Sequence, residues 1–305
     1  MIEISNVSRW YGQVIGVNDI TAEIGPGLTA MLGMNGAGKS TLMRLITGQL
    51  HPTTGSVKVF GQEPFANPEV FKRLGYCPEI DNFYEHYSGR DFVCFLGQLS
   101  GLTKAQSKAR TDEVLHEVGM AERADRKIAG YSKGMRQRIK LAQAMMHNPD
   151  IILLDEPLNG LDPIGRRDLM DILGRLAASG KTIVVSSHIL FEVEQMTRSI
   201  LLLHRGRLLA KGDLTEIRSL IDRHPHKIRV ETPNPRALAG ALATLPNIVS
   251  MEFERGDRGL ALQVRDPDSF YTALMDIALT TDIVITGFFS PDNNLEAVFS
   301  YLVNA

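Results

Sequence analysis

A glycine-rich segment, residues 33–40 with the sequence GMNGAGKS, carries the strongest chemical signal in this 305-residue chain. It lies between an apolar run at residues 28–32 and a helical repeat of apolar residues at Leu42, Leu45 and Ile46. Glycines allow successive backbone N–H groups to curl around phosphate oxygens, while the positive end of the following helix faces the same anion. The segment therefore predicts a nucleotide site, although alone it fits kinases, switch GTPases and motor ATPases equally well.

Within this loop, Lys39 is expected to reach the β and γ phosphates and Ser40 to ligand Mg²⁺. The predicted nucleotide contacts from the loop are those of Asn35, Gly36, Ala37, Gly38, Lys39, Ser40 and Thr41. A glycine turn with a chance Lys-Ser pair is the alternative. The position of the loop between a predicted strand and a predicted helix argues against that alternative.

Two adjacent carboxylates, Asp155 and Glu156, follow four apolar residues at 151–154. A buried parallel strand at these positions delivers both side chains to the phosphate end of the sheet. We expect Asp155 to hold the Mg²⁺ shell and Glu156 to polarise the attacking water. A solvated acidic turn before Pro157 is the alternative interpretation.

A third apolar run, residues 183–187, is followed by His188, which a parallel sheet places on the same edge. His188 could hydrogen-bond the γ-phosphate from that position. An isolated His after a strand is more often a structural residue, so this role depends on a wider resemblance.

Residues 131–138, with the sequence YSKGMRQR, lie between the glycine-rich loop and the two carboxylates, and here the chain resembles the ATP-binding-cassette (ABC) ATPases. In order, that family has an aromatic residue near the N-terminus, the phosphate loop, a Gln loop, a Ser-Gly signature opening a helix, the Asp-Glu strand, a Leu-Asp loop and a switch His. The matching positions here are Tyr11, residues 33–40, Glu79, residues 132–134, Asp155 with Glu156, Leu161 with Asp162, and His188. The resemblance covers about the first 220 residues, and the ordered set is more specific than any single motif.

The resemblance implies an ATPase in which two subunits enclose two ATP molecules head to tail. Ser132 and Gly134 are then expected to bind the partner subunit's ATP at a helix N-terminus, and Asp162 to lie at the seam between the subunits. Tyr11 is expected to stack on adenine, a contact worth about 1–3 kcal/mol by analogy with base stacking on aromatic side chains. Core packing of Tyr11 beside Trp10 is the alternative.

Two positions depart from the family pattern. Glu79, in the sequence GYCPE, stands where the coupling loop usually has Gln. A carboxylate still ligands Mg²⁺, so Glu79 joins Ser40 and Asp155 as a predicted metal ligand, but it cannot donate a hydrogen bond as an amide does. Lys133 replaces the usual first Gly of the signature, where it is either close to phosphate or solvated.

The elements that position these residues alternate short apolar runs with amphipathic segments from residue 1 to about 220, which favours an α/β P-loop NTPase core. Strand candidates lie at residues 28–32, 151–154, 183–187 and 200–203. The stretch from about residue 64 is mostly helical in pattern, and we expect an inserted helical subdomain at about 64–145.

From residue 221 to 305 the pattern changes to that of a small α+β unit. Its predicted strands lie at 227–231, 249–255, 259–265 and 283–290, and its predicted helices at 235–245, 268–279 and 294–303. The order βαββαβ is that of a ferredoxin-like unit. Nothing in it resembles a catalytic constellation, so regulation or docking is expected there rather than chemistry.

Composition limits the partners and the location of the chain. A formal net charge of -2 gives no basic field, so nucleic acid is not an expected partner. Cys77 and Cys94 form no CxxC pair and are expected to be reduced thiols. The sequence has neither a secretory signal nor an apolar stretch of the roughly 18 residues that cross a bilayer. We therefore expect a cytoplasmic chain. The ABC resemblance implies that a separate permease holds it at the inner face of the cell membrane.

The signature and the C-terminal extension resemble the exporter ATPases related to multidrug and daunorubicin resistance. This resemblance implies that opening and closing of a homodimer or heterodimer drives an integral membrane permease, which docks near residues 79–126. A soluble ABC protein acting in translation or DNA repair is the rival interpretation. Such relatives are fused tandem cassettes or carry long coiled-coil insertions, whereas this chain has one cassette and no sustained heptads.

Overall fold

The computed structural model of the protein describes residues 1–213, 225–254 and 258–290. The chain divides into two compact units, Met1–Asp213 and Leu214–Ala305. The predicted boundary near residue 220 and the predicted last helix at 294–303 lie outside the described residues. In the part of the chain that is described, no helix is both long and apolar enough to cross a bilayer.

The first unit contains a central sheet and a smaller antiparallel sheet. Its strands are β1 (Ile2–Tyr11), β2 (Val14–Ile24), β3 (Gly27–Leu32), β4 (Thr54–Val59), β5 (Leu74–Cys77), β6 (Ile151–Leu154), β7 (Thr182–Ser187), β8 (Ser199–His204) and β9 (Arg207–Asp213). The central sheet has the order β5-β6-β7-β3-β8-β9, and only β9 runs antiparallel to its neighbour. The smaller sheet has the order β2-β1-β4. The four apolar runs predicted as strands are confirmed as β3, β6, β7 and β8.

Seven α-helices accompany these strands in the described part of the first unit. They are α1 (Lys39–Ile46), α2 (Pro68–Phe71), α3 (Gly89–Leu99), α4 (Lys104–Glu117), α5 (Lys133–Met145), α6 (Pro163–Ala178) and α7 (Leu190–Met196). The stretch expected as a helical insert from about residue 64 also contains β5, which pairs in parallel with β6 in the central sheet. The packed helices α3, α4 and α5 therefore begin only at Gly89.

The central sheet is buried on both faces, as a mostly parallel sheet requires. On β6, Ile151 and Leu153 face a core shared with β1, β2, β4 and α1. The alternate residues Ile152 and Leu154 face a second core, formed with α3, α4, α5 and α6. Asp155, Glu156 and His188 directly follow β6 and β7, so they lie at one edge of this sheet, and that edge carries the predicted site.

In the residues that the structure describes, the second unit is a four-stranded antiparallel sheet with two helices. Its elements are β10 (His226–Glu231), α8 (Pro235–Leu242), β11 (Ile248–Phe253), β12 (Gly259–Val264), α9 (Pro267–Thr280) and β13 (Gly287–Phe289). The sheet order is β11-β12-β10-β13, and the unit has its own core around Phe270. The predicted βαββαβ order is confirmed in the described residues. The last strand is shorter than the predicted 283–290, because only Gly287–Phe289 pair with β10.

Candidate functional site

The glycine-rich loop joins β3 to α1, and its glycines allow backbone conformations and close contacts that other residues would prevent. Gly36 and Gly38 have φ of +80° and +103°, which side chains rarely allow. A Cβ at Gly33 would lie 2.5 Å from the carbonyl oxygen of Leu203, and one at Gly38 would lie 2.6 Å from that of Gly16. At these two glycines the loop is thus packed closely against β8 and β2.

Lys39, the first residue of α1, places a buried positive charge under this loop. Its side chain is only 6% exposed, and its Nζ donates to the carbonyl oxygen of Gly33 at 2.6 Å. The same Nζ lies 3.1 Å from Oε1 of Glu156, which lies two residues beyond the end of β6. The ammonium therefore stands between the loop and the predicted catalytic carboxylate.

The ends of β6 and β7 meet beside Lys39, where one hydroxyl joins two carboxylate residues. Leu154 pairs with Val185, so the residues that follow them are neighbours. The Oγ of Ser186 donates to Oδ1 of Asp155 at 2.6 Å and accepts the N–H of Glu156 at 2.7 Å. Glu156 has φ of +47°, a strained conformation that costs about 1–3 kcal/mol and persists only when its surroundings hold it. The Ser186 bond is one such restraint.

His188 completes the group from the end of β7. Its Nδ1 lies 2.9 Å from Oε2 of Glu156, so the Glu156 carboxylate contacts Lys39 through one oxygen and His188 through the other. The N–H of Gly33 donates to the carbonyl oxygen of Ser187 at 3.2 Å, which ties the glycine-rich loop to the same strand end. The structure thus brings together three residues predicted from three separate strand ends.

The neighbouring strand β5 contributes groups that stay protonated. Burial raises the pKa of Cys77 to about 12. Burial, helped by the charge of Asp155, also raises the pKa of Tyr76 to about 12. The carbonyl oxygen of Cys77 accepts the N–H of Asp155 at 2.9 Å. Cys77 is therefore a structural thiol and not a nucleophile, and Cys94 is also free.

Comparison with known proteins identifies the family to which this site belongs. A family model described as ABC transporter matches residues 17–159. The chain is 35% identical over 212 residues to the bacitracin transport ATP-binding protein of Bacillus licheniformis, with 68% of each chain covered. The chain belongs to the ABC transporter ATP-binding proteins. It is also 29% identical over 300 residues to the daunorubicin/doxorubicin resistance ATP-binding protein of Streptomyces peucetius, covering 98% of this chain and 91% of that one.

The structural comparison agrees with the sequence comparison. A solved structure of the ATP-binding subunit of an ABC transporter matches with a TM-score of 0.65 and 30% identity, over 72% of this chain and 93% of that one. The predicted ABC resemblance and ABC ATPase fold are confirmed. As a member of this family the chain is an ATP-binding and ATP-hydrolysing subunit.

The ABC signature lies at the start of α5, apart from the phosphate loop. Ser132 caps α5 and Asp162 caps α6, each side chain accepting the backbone N–H three residues further on. Together with Gly134 they line a cavity of about 590 Å³. Among the described residues, none from the phosphate loop lines it. Lys133 is exposed and lies over Gly160, where a Cβ would be 2.5 Å from its Nζ.

Tyr11 lies at the end of β1, next to the phosphate-loop helix. Its hydroxyl is 3.5 Å from Oγ1 of Thr41. The alternative of core packing beside Trp10 is wrong, because Tyr11 is 42% exposed and Trp10 is 43% exposed. The Tyr11 side chain is therefore partly exposed beside the phosphate loop of this ABC subunit, with the Arg9 guanidinium 5.3 Å from the centroid of its ring.

Glu79 lies two residues beyond β5, and its side chain is exposed. Its carbonyl oxygen accepts a hydrogen bond from Nζ of Lys140 at 2.9 Å. Among the described contacts, its carboxylate has none with Ser40 or Asp155, so the structure does not bring the three predicted metal ligands of this ABC subunit together directly.

Two residues of the site were not predicted from the sequence, Ser186 and Lys140. For Ser186 no sequence signal was available, because the pairing of Leu154 with Val185, which places residues 155 and 186 side by side, is seen only in the structure. No sequence signal pointed to Lys140, whose partners lie about sixty residues earlier in the chain.

Proposed function

We propose that this chain is the ATP-hydrolysing subunit of an exporter, in which two subunits close around two ATP molecules and drive a separate membrane permease. The observation that carries the proposal is the convergence of Lys39, Glu156 and His188 at the phosphate loop, with Ser132 on a separate cavity. A chain with two separated half-sites is completed by a second copy or a related chain, whose Ser132 and Gly134 meet its phosphate loop. Asp162 then lies at the seam.

The nucleotide is held by the loop and by the exposed aromatic ring beside it. The loop N–H groups and the Lys39 ammonium bind the β and γ phosphates, aided by the positive end of α1. Tyr11 stacks on the adenine, and its 3.5 Å approach to Thr41 supports a base lying next to the phosphate loop. The loop contacts are those of Asn35, Gly36, Ala37, Gly38, Lys39, Ser40 and Thr41.

The donor set near the phosphates fits Mg²⁺, which prefers oxygen ligands and is usually bound by one or two carboxylates together with substrate phosphates. The Asp155 carboxylate is 3% exposed, is oriented by Ser186 and lies at the required strand end. Ser40 supplies a hydroxyl at the start of α1, and Glu79 supplies a second carboxylate from the loop after β5. When bound, the ion neutralises charge on the phosphates.

The Glu156 carboxylate is positioned to accept a proton from the attacking water. Its two oxygens already contact the Lys39 ammonium and the His188 imidazole, so the orientation of the carboxylate is set before substrate binds. Lys39 and His188 then stabilise the negative charge on the transferring phosphoryl group. Hydrolysis reopens the dimer, which couples the reaction to the permease.

An exposed apolar surface supports docking of the permease on the helical segment. Ile80, Tyr84, Phe95 and Leu99 are 67%, 53%, 37% and 68% exposed, and Tyr84 and Phe95 have ring centroids 6.3 Å apart. Exposed apolar side chains of this kind suit a cytoplasmic helix of a membrane protein. The relatives named for bacitracin transport and for daunorubicin/doxorubicin resistance support export, with the chain at the inner face of the membrane.

The test is Glu156→Gln in the full chain. We expect the steady-state ATPase rate to fall by about 10²–10⁴-fold, because the general base is lost. ATP binding should persist, and ATP-dependent dimers should accumulate on size-exclusion chromatography. Glu69→Gln, at an exposed carboxylate paired with Lys72, is the matched control and should leave all three measurements unchanged. An unchanged ATPase rate in the Glu156 variant would rule out the proposed base.

A further inference from the structure

Lys140 is a buried cation that the proposed hydrolysis does not use. It lies in α5 with its side chain only 5% exposed. Its Nζ donates to the carbonyl oxygens of Pro78 and Glu79 at 3.0 and 2.9 Å, and it forms an ion pair with Oδ1 of Asp81 at 2.9 Å. A buried ammonium is unfavourable unless such partners surround it, so all three contacts are required to keep it there.

All three partners belong to one short loop, the residues that follow β5. The loop is also fixed at its start, since the carbonyl oxygen of Cys77 accepts the N–H of Asp155. Further along, Arg136 of α5 forms a two-pronged ion pair with Glu85 at 2.7 and 2.8 Å. The loop that carries Glu79 is thus held between the end of β6 and one face of the signature helix.

We propose that Lys140 is a positioning residue for Glu79, holding the loop backbone so that the Glu79 carboxylate reaches the magnesium–nucleotide complex at Asp155. This inference rests on the proposed function, in which Glu79 is a Mg²⁺ ligand. The ammonium binds the carbonyl of Glu79 itself, so it fixes the residue and not merely the loop. The Lys140 ammonium also balances the negative charge of Asp81. Without it, Asp81 and Glu79 place two negative charges on one short loop.

This arrangement gives a physical reason for the departure at position 79. An amide at this position carries no charge, whereas a carboxylate there repels Asp81 and Asp155 until a cation is nearby. Lys140 supplies a positive charge below the loop, and two of its three partners are backbone oxygens, which do not depend on side-chain rotamers. The Glu79 side chain itself is exposed and accessible to a bound cation.

The experiment compares Lys140→Met, Asp81→Asn, Glu79→Ala and the double variant Lys140→Met/Glu79→Ala in the full chain. Two quantities are measured against Mg²⁺ concentration: the ATPase rate and the equilibrium binding of trinitrophenyl-ATP. We expect Lys140→Met to raise the half-saturating Mg²⁺ concentration by about tenfold, as loss of an outer-sphere partner of a metal ligand typically does. Glu79→Ala removes the proposed ligand itself and should raise it at least as much. The double variant should be no worse than Glu79→Ala alone, because both changes remove the same interaction.

Two further variants separate positioning from general stability. Lys181→Met removes another lysine bonded to a side-chain and a backbone oxygen, Asn148 and Pro149, but at the opposite end of β7. It should lower the melting temperature without moving the Mg²⁺ midpoint. Asp81→Asn changes a partly exposed side chain, so it keeps the test valid if Lys140→Met does not fold, and it should shift the midpoint in the same direction.

The outcomes distinguish the inference from the function on which it rests. If Glu79→Ala shifts the Mg²⁺ midpoint while Lys140→Met and Asp81→Asn do not, the positioning role is overturned and the proposed metal ligand stands. If Glu79→Ala leaves the midpoint unchanged, Glu79 is not a Mg²⁺ ligand, and both proposals for this loop fail.

Discussion

Ser186, whose side chain is fully buried, holds two residues of the candidate site in place. Its hydroxyl contacts the predicted metal ligand Asp155 and the backbone of the predicted base Glu156. One hydroxyl group therefore orients the Asp155 carboxylate and fixes the backbone of Glu156. Because Glu156 has a positive φ, the same contact stabilises a backbone conformation that the residue rarely adopts.

Replacing Ser186 with Ala should therefore lower the turnover rate without abolishing ATP binding. The change leaves Asp155 Oδ1 and the Glu156 N–H without their shared partner, a loss of about 1–3 kcal/mol for buried groups. We expect kcat to fall by about tenfold or more, as measured by steady-state phosphate release. Ser179→Ala removes a comparable bond, from the hydroxyl to the carbonyl oxygen of Leu176, at an exposed helix end and should leave kcat unchanged. If kcat of the Ser186→Ala variant equals kcat of the Ser179→Ala variant, the role of Ser186 is contradicted.

Among the secondary-structure elements, the close approach of β5 to the signature helix α5 decides where the Glu79 loop lies. A Cβ at Gly75 of β5 would be 2.2 Å from the carbonyl oxygen of Ala144 in α5. This approach brings Lys140 within hydrogen-bonding distance of the residues that follow the strand. The strand has only four residues and contains a glycine, so its pairing with β6, rather than its own propensity, makes it a strand.

The variant Gly75→Ala should destabilise the protein, because the added methyl group meets backbone and not a flexible side chain. Overpacking of this kind costs about 1–3 kcal/mol. We expect a fall of roughly several degrees in the melting temperature, measured by differential scanning calorimetry. Gly174→Ala is the matched control in the middle of α6, where a Cβ meets nothing within 4 Å. It should stabilise the chain slightly, by about 0.5–1 kcal/mol. A Gly75 variant that melts no lower than the native protein would contradict the close packing.

The whole molecule consists of two units that each have a hydrophobic core. The first unit has two cores on either side of the central sheet, and the second has one core around Phe270 and Leu274. All the predicted site residues lie in the first unit. A unit with its own core can fold independently, so hydrolysis and the function of the second unit should be separable.

A chain that ends at residue 222 should therefore fold and bind ATP with the affinity of the full protein. We propose that the second unit regulates the ATPase or docks the subunit. The shortened chain should accordingly differ in ATPase rate, in dimerisation or in recovery with permease-containing membranes. These are measured by phosphate release, size-exclusion chromatography and sedimentation with membranes. If all three are unaltered, the second unit has neither a regulatory nor a docking role.

The sequence alone determined those parts of the site whose functional residues lie in one contiguous stretch of the chain. The phosphate loop, the Asp155-Glu156 strand end and the signature each depend on neighbouring residues, so their types and spacing are visible without coordinates. The βαββαβ order of the second unit was predicted for the same reason, since hydrophobic periodicity is a local property.

Only the tertiary structure decided which of these stretches meet. Lys39 and Glu156 are in contact because β6, β7 and β3 are neighbours in the sheet, an order that local patterns do not encode. The Ser186 bridge and the Lys140 contacts likewise join residues about thirty and sixty positions apart. Their geometry depends on strand register and on how closely α5 packs against β5. These are properties of packing between elements, and no single element specifies them.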